Sequence, residues 1–475
     1  MKFTFHDKTV TREFRLALGK EFPGLDSPSR WRMMSYLLFG TCRNDDKELM
    51  LAREIVASIE GKKINGHYAA GVFINDFSQN VMPLDVESWR FWAGEDGRTR
   101  VRTLKGLRLP AHIESLVQQQ RRSRGGDRVW MSSGTKFLRK HSSQARRDHL
   151  EEAKSRADGM YLTAEAKLLL DYMNSLPSNR FTSATRHIPE AITVAEALPD
   201  AENQLNLLQA IGDRPQPFYA PSDHTTRIFA VGASMNGLHH DVRAVLCQDW
   251  IEADLNSAQL AIVAKTWGIT KLDEYLASGR KIWPELCDQI GVPFTSANKR
   301  IVKEALYSAI YGAGERRMTD GMAHALKGSS LTGEKAFERF EAHLIIQTLL
   351  HARTIRLAQI VNTQGGQDAF GQWLPLVYRD VEGYDYKFDN SRSILASISQ
   401  SYELLLLVPI LQEAVAQQFQ THGFSICQWI HDGITFDVHH PDDLEDWERR
   451  LSLMVKERAN SLGINTRLEF THYGE

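Results

Sequence analysis

Cysteine is scarce in this 475-residue chain: Cys42, Cys247, Cys287 and Cys427 are the full set, and no two form a CxxC pair. A disulfide framework and a zinc knuckle are therefore not expected, and a reducing compartment fits best. Long apolar runs are also missing. The longest, Leu404 to Leu411, is interrupted by Pro409, far short of the ~20 residues a membrane span needs, so it reads as core. The opening stretch, MKFTFHDKTVTREF, is charged throughout, so no secretory signal is expected; the expected location is cytoplasmic, with no membrane partner. An excess of positive charge is absent too, with a net charge of −2. That weighs against nucleic-acid binding only on average, because binding needs a basic face rather than a basic total. No internal repeat or long low-complexity tract is visible.

What remains is ordinary globular composition, 42% hydrophobic and 24% charged, in a chain long enough for two to four units at about 150 residues each. Charge is unevenly placed. Arg122, Arg124, Arg128, Lys136, Arg139, Lys140, Arg146, Arg147 and Lys154 crowd one stretch, whereas Asp442, Asp443, Glu445, Asp446 and Glu448 make the C-terminal part acidic. The basic stretch reads either as a solvated surface or as an element gripping a phosphate backbone.

Hydrophobic periodicity places strands at 227–231 and 250–255, a helix over 257–268, and an amphipathic helix over 296–311 with Ser296 as N-cap and Gly312 as its stop. Further helices are predicted over 334–363, 393–418 and 443–461. Between the last two lie strands at 424–430 and 433–438, separated only by His431 and Asp432. Strands interleaved with helices predict an α+β fold.

Two aspartates draw attention. Asp254 closes a strand, and Asp432 sits at a tight hairpin junction. A lone Asp at a strand end is usually a cap or turn residue. Two on neighbouring strands, however, are the minimum needed to hold a pair of divalent metals about 4 Å apart for nucleotidyl transfer. Lys299, Lys303, Tyr307 and Tyr311 recur every four residues and so share one face of the 296–311 helix. Cations near a helix start can hold a triphosphate, and aromatic rings further along can stack a base; packing of the tyrosines into a core is the plainer alternative.

Three segments resemble family A (DNA polymerase I-like) polymerases. EADLNSAQL (252–260) is similar to their motif A, KRIVKEALYSAIYG (299–312) to motif B, and IHDGITFDV (430–438) to motif C, in the family's order. Weaker echoes are TRIF (226–229), GQWLPL (371–376) and SISQSYE (397–403). There is also distant similarity to phage-type single-subunit RNA polymerases. Coverage runs from about residue 220 to the end.

The resemblance implies a right-hand polymerase with an antiparallel-sheet palm, helical fingers and a helical thumb. Its expected domains are 1–120 of unknown role, 121–215 thumb-like, 216–268 first palm part, 269–390 fingers and 391–475 second palm part. It implies two Mg2+ ions, with Mn2+ able to substitute, held by Asp254, Asp432 and the backbone carbonyl of Leu255. By the same resemblance, Lys303 would act on the triphosphate and as the acid for pyrophosphate. Lys299, Arg300, Tyr307, Tyr311 and Gln259 would bind the nucleotide, and Arg227, Gln400 and His431 the primer-template.

Departures are specific. Gln259 stands where the family has the glutamate that crowds the sugar 2′ position, so sugar selection is expected in weaker form. Gly433 stands where the family has a glutamate. Trp283 stands where a histidine is usual, leaving Arg280 or Lys281 as substitutes. The one tempting D-x-E, at Asp85-Val86-Glu87, reads as accidental, so no proofreading exonuclease is expected. The leading expectation is a monomeric DNA polymerase that binds DNA primer-template and nucleoside triphosphates and extends the primer with deoxynucleotides. Alternatives are an RNA polymerase or primase-polymerase on the same palm, and a catalytically inactive nucleic-acid-binding module.

Overall fold

The computed structural model describes residues 8–40, 49–60, 70–86, 90–92, 99–122, 127–136, 162–222, 225–231, 233–326, 331–379 and 388–473. Most of the basic stretch, including Arg124, Arg139, Lys140, Arg146, Arg147 and Lys154, lies outside them, as does Glu87. Within them the fold is mixed, many helices with small antiparallel sheets.

Apolar side chains gather into separate cores. One is built from residues between Val10 and Met131 and is closed by the strand Thr9–Thr11 pairing with Arg128–Trp130. A second joins helices from 162 onward to the sheet near the C-terminus, and a third fills the helices between Leu260 and Leu349. The helix Ser391–Gln417 is the one described helix long and apolar enough to span a membrane. Its Leu404, Leu406, Leu407, Ile410 and Leu411 are buried, so it is a core helix.

A four-stranded antiparallel sheet organises the C-terminal half. Its order is Phe424–Trp429, Gly433–Val438, Ile251–Leu255, Leu468–His472. Burial on both faces of the first two strands explains their apolar sequences. Phe424–Trp429 is an edge strand whose outward amides would be orphans. They are taken up by side chains: the Ile426 N–H donates to the Tyr172 hydroxyl at 2.9 Å and the Trp429 N–H to the Tyr219 hydroxyl at 3.1 Å. The pairing register slips between Ile426 and Gln428, a bulge that twists this edge.

The predicted elements appear with small corrections. The amphipathic helix is Ser296–Ile310, but its cap is Thr295, whose hydroxyl accepts from the Asn298 N–H at 3.2 Å; Ser296 is already helical. Gly312 ends it with φ +80°, a conformation only glycine adopts freely. The predicted 334–363 helix is two, Gly333–Glu341 and Leu344–Asn362.

Candidate active site

Asp254 stands next to the last residue of the strand Ile251–Leu255, directly opposite Gly433 on one side and Glu469 on the other. Opposed residues share a face of an antiparallel sheet. Asp432 immediately precedes Gly433, and its carbonyl accepts from the Leu255 N–H at 2.8 Å. The two aspartates, distant in sequence, are thus neighbours across one strand pairing. Leu255 joins them through its backbone.

The hairpin that carries Asp432 is unusually tight. The Asp432 N–H donates to the Ile430 carbonyl, and His431 has φ +75°, the signature of the rare, strained γ-turn. His431 packs edge-on against Phe229, ring centroids 4.8 Å apart. Burial, then the nearby Arg227 guanidinium, pushes its pKa down to about 3, so it is neutral at pH 7. Its Nδ1 is buried without a partner.

The electrostatics of Asp254 are those of a site overloaded with negative charge. Burial, then the Glu252 and Asp432 carboxylates, push its pKa up to about 7, and it shares a hydrogen bond with Glu252. Glu252, two residues back on the same face, also hydrogen-bonds the Tyr473 hydroxyl and lies 3.5 Å from Arg243. Gly433 explains itself here. A Cβ at this position would fall 1.9 Å from Asp254 Oδ1 and 2.8 Å from the Ala253 carbonyl oxygen. The Asp254 carboxylate occupies the space that a side chain at 433 would need.

The helix Ser296–Ile310 and its cap bring the predicted face to this sheet. Lys303 Nζ lies 5.4 Å from the Tyr307 ring centre, and the Tyr307 and Tyr311 rings are 6.4 Å apart. Both tyrosines are half-buried, while Lys299 and Lys303 are exposed. Burial raises the Tyr307 hydroxyl pKa, with Asp432 the next cause and Asp254 a smaller one, so this face lies close to both aspartates. Trp283 packs edge-on against Tyr307 at 6.2 Å. Arg300 lies off this face and pairs with Glu304 at 3.1 Å. Arg280 is likewise engaged, with Glu285 at 2.8 Å.

Behind the tyrosines is a buried network. Arg227 donates through Nε and Nη2 to Glu403 Oε2 and also reaches the Tyr311 hydroxyl. Gln259 Nε2 donates to Glu403 Oε1. Gln400 lies on the same helix as Glu403, half-buried, and only three residues before it. Glu403, Glu252 and Tyr473 join the site without having been predicted as site residues. The one available signal was a charge embedded in an apolar run, as Glu403 is immediately before Leu404–Leu411.

Two features lie elsewhere. A cavity of about 540 Å³ opens among Met318, Phe337, Leu350, Arg353 and neighbours, and no predicted site residue lines it. His422, His440 and Asp443 have metal-binding atoms within 4.8 Å of one another. They sit at the open end of the 424–438 hairpin, away from Asp432 at its turn.

No protein-family model and no curated protein matches this sequence. Among solved structures, the chain is similar to the POL domain of Pol1 from M. smegmatis in complex with DNA primer-template and dNTP. The identity is 15% and the TM-score 0.41, over 69% of this chain and 63% of that one, so this chain spans under two thirds of that structure's length.

Proposed function

We propose that this chain is a template-directed DNA polymerase without a proofreading exonuclease, adding deoxynucleotides to a primer 3′ end by two-metal nucleotidyl transfer. The observation that carries the reading is that Asp254, opposite Gly433 in the sheet, and Asp432, in the turn just before Gly433, are neighbours that also act on Tyr307 of the helix face bearing Lys303 and Tyr311. In this reading the sheet is the palm, the helices after residue 269 are the fingers, and the thumb draws on residues 121–215.

The donor set suits a hard divalent cation such as Mg2+. Asp254, Asp432 and Glu252 repel one another strongly enough to raise the proton affinity of Asp254, and a bound cation relieves that repulsion. Asp254, Asp432 and the Leu255 carbonyl are the ligands proposed. Bound there, the metals lower the pKa of the attacking hydroxyl and neutralise charge on the transferring phosphate.

The chain's own residues supply the rest. Lys299 and Lys303, exposed on the face above, meet the triphosphate, and Lys303 delivers the proton to the departing pyrophosphate. Tyr307 stacks on the incoming nucleotide, and Tyr311 lies beside the templating pair. Arg227 and Gln400 face the primer end. His431, neutral and held rigidly by its turn, supports the primer terminus. Arg300 adds charge at the rim.

Asp254→Ala and Asp432→Ala should each abolish primer extension in Mg2+ or Mn2+ while leaving DNA affinity within a few fold. Extension that survives both changes in a purified preparation overturns the reading. A second reading, synthesis with ribonucleotides as in an RNA polymerase or primase, is favoured by one observation: the neutral Gln259, bonded to Glu403, which in turn feels the Asp432 charge.

A further inference from the structure

The hairpin that carries Asp432 at its turn has a second cluster at its open end, and the proposed nucleotide chemistry does not use it. The six residues of the strand Gly433–Val438 put roughly 20 Å between the two. His422 lies in the link between the helix Ser391–Gln417 and the strand Phe424–Trp429. His440 follows the strand Gly433–Val438, and Asp443 precedes the helix Leu444–Leu462. One ligand atom from each lies within 4.8 Å of the other two. His440 and Asp443 flank the ends of a single 3-10 turn, in which side chains three apart line up on one side.

Main-chain contacts hold these positions. The His422 carbonyl accepts from the indole N–H of buried Trp447 at 3.0 Å. The His439 N–H donates to the Gly423 carbonyl at 2.9 Å, which closes the hairpin beside His422, and the Asp443 N–H to the His440 carbonyl at 3.0 Å.

Two of the side chains forgo ordinary partners. Asp443 is the N-cap of the helix Leu444–Leu462, where an aspartate usually accepts a backbone N–H of the first turn. Its carboxylate makes no such bond and lies instead 2.9 Å from His422 Nδ1. His440 Nδ1 is buried with no hydrogen bond, 3.7 Å from Asp442 Oδ2. The two imidazole rings are 5.2 Å apart. The His422 side chain is 69% exposed and that of His440 43%, so an ion reaches the cluster directly from water.

We propose that His422, His440 and Asp443 form a Zn2+ site, with water in the fourth position, that clamps the open end of the hairpin to the helix Leu444–Leu462. Two imidazoles and one carboxylate suit zinc, whereas Mg2+ takes oxygen ligands. Bonds of ~2.0–2.1 Å in a tetrahedron place ligand atoms roughly 3.3 Å apart. That spacing falls between the 2.9 Å of the His422–Asp443 contact and the 4.8 Å limit of the cluster, so small rotations of surface side chains close the site. The helix N-terminus opposes a cation with the equivalent of about half a positive charge, and Asp442, Asp443 and Glu445 exceed it. The acidic C-terminal part thereby gains a role that nucleotide chemistry leaves open.

The test is metal binding by the full chain in millimolar Mg2+, which is there to fill the oxygen-rich aspartate pair. Calorimetric titration with Zn2+ should show one ion bound with a micromolar or tighter dissociation constant. Co2+ in its place should give the intense visible absorption of a four-coordinate site. His422→Gln and His440→Gln should each weaken Zn2+ binding ~100-fold or more, since loss of an outer hydrogen-bond partner alone costs ~10–100-fold, and should bleach the cobalt band. Saturating Zn2+ should raise the melting temperature of the wild type by a few degrees and leave that of His422→Gln unchanged. The metal-free variants, altered at surface positions, should melt as the wild type does.

The chain carrying both Asp254→Ala and Asp432→Ala should bind Zn2+ like the wild type. A dissociation constant weaker than millimolar overturns the proposal. So does an affinity that both histidine variants retain, or an ion lost with Asp254 and Asp432 instead. None of these readouts involves nucleotide incorporation, so the outcome is separate from that of the polymerase reading.

Discussion

Replacing Asp254 by asparagine should stabilise the metal-free protein above pH 7 while destroying its activity. The carboxyl has a pKa of about 7 in the fold against an ordinary 3.8, because it is half-buried among Glu252 and Asp432. A folded pKa above the unfolded one means that the native state binds the proton more tightly. Its effect is fully favourable below about pH 4, is lost as pH rises through the window up to about 7, and is flat above that. The substituted amide carries no charge to bury, and its NH2 can donate to Glu252.

The gap between 3.8 and about 7 is worth roughly 4 kcal/mol at ~1.36 kcal/mol per tenfold in proton affinity. Water reaching the half-exposed carboxylate, with salt screening, brings the expected gain to about 2 kcal/mol. Urea unfolding in EDTA, on either side of the window, measures it: the variant should be more stable at high pH and nearly equal to wild type at low pH. Millimolar Mg2+ should then stabilise the wild type more than Asp254→Asn, since ligands that bind the native state raise its stability. A variant no more stable than wild type at high pH would refute the idea that Asp254 is held against the repulsion of its neighbours.

Other outcomes follow from single contacts. Gly433→Ala drives a methyl into the Asp254 carboxylate and the Ala253 carbonyl; a loss of ~1–3 kcal/mol in unfolding and near-complete loss of primer extension are expected, and a fully active variant contradicts the site geometry. Lys303→Ala should lower the rate of chemistry ~100-fold in single-turnover assays, as loss of an acid–base group does, with little change in DNA affinity. Tyr219→Phe leaves the Trp429 N–H unpaired at the sheet edge and should cost about 1–2 kcal/mol with no effect on incorporation rates. His431→Gly relieves the positive-φ strain, so the melting temperature should hold or rise while extension falls for want of the ring.

How much of this was legible beforehand differs by element. The hairpin was plain, because two apolar stretches separated by two residues leave the chain no other short connection. The Lys299-to-Tyr311 face was readable from its four-residue spacing, since helix geometry alone puts those side chains in line. The break at Ala342 and His343, where one predicted helix became two, was not, because no Pro or Gly marks it and packing decides it. Glu403 was unreadable as a site residue: a lone acid in an apolar helix gains meaning only when Arg227 and Gln259, remote in sequence, arrive beside it.

The sequence by itself determined the elements and which residues could do chemistry, since periodicity, capping and residue type act over a few neighbours. Tertiary structure alone decided which charges meet. Strand order sets Asp254 against Gly433 and beside Asp432, and helix packing sets Glu403 against Gln259. Coulombic and hydrogen-bonding energies depend on distance in space, and no local pattern encodes that distance.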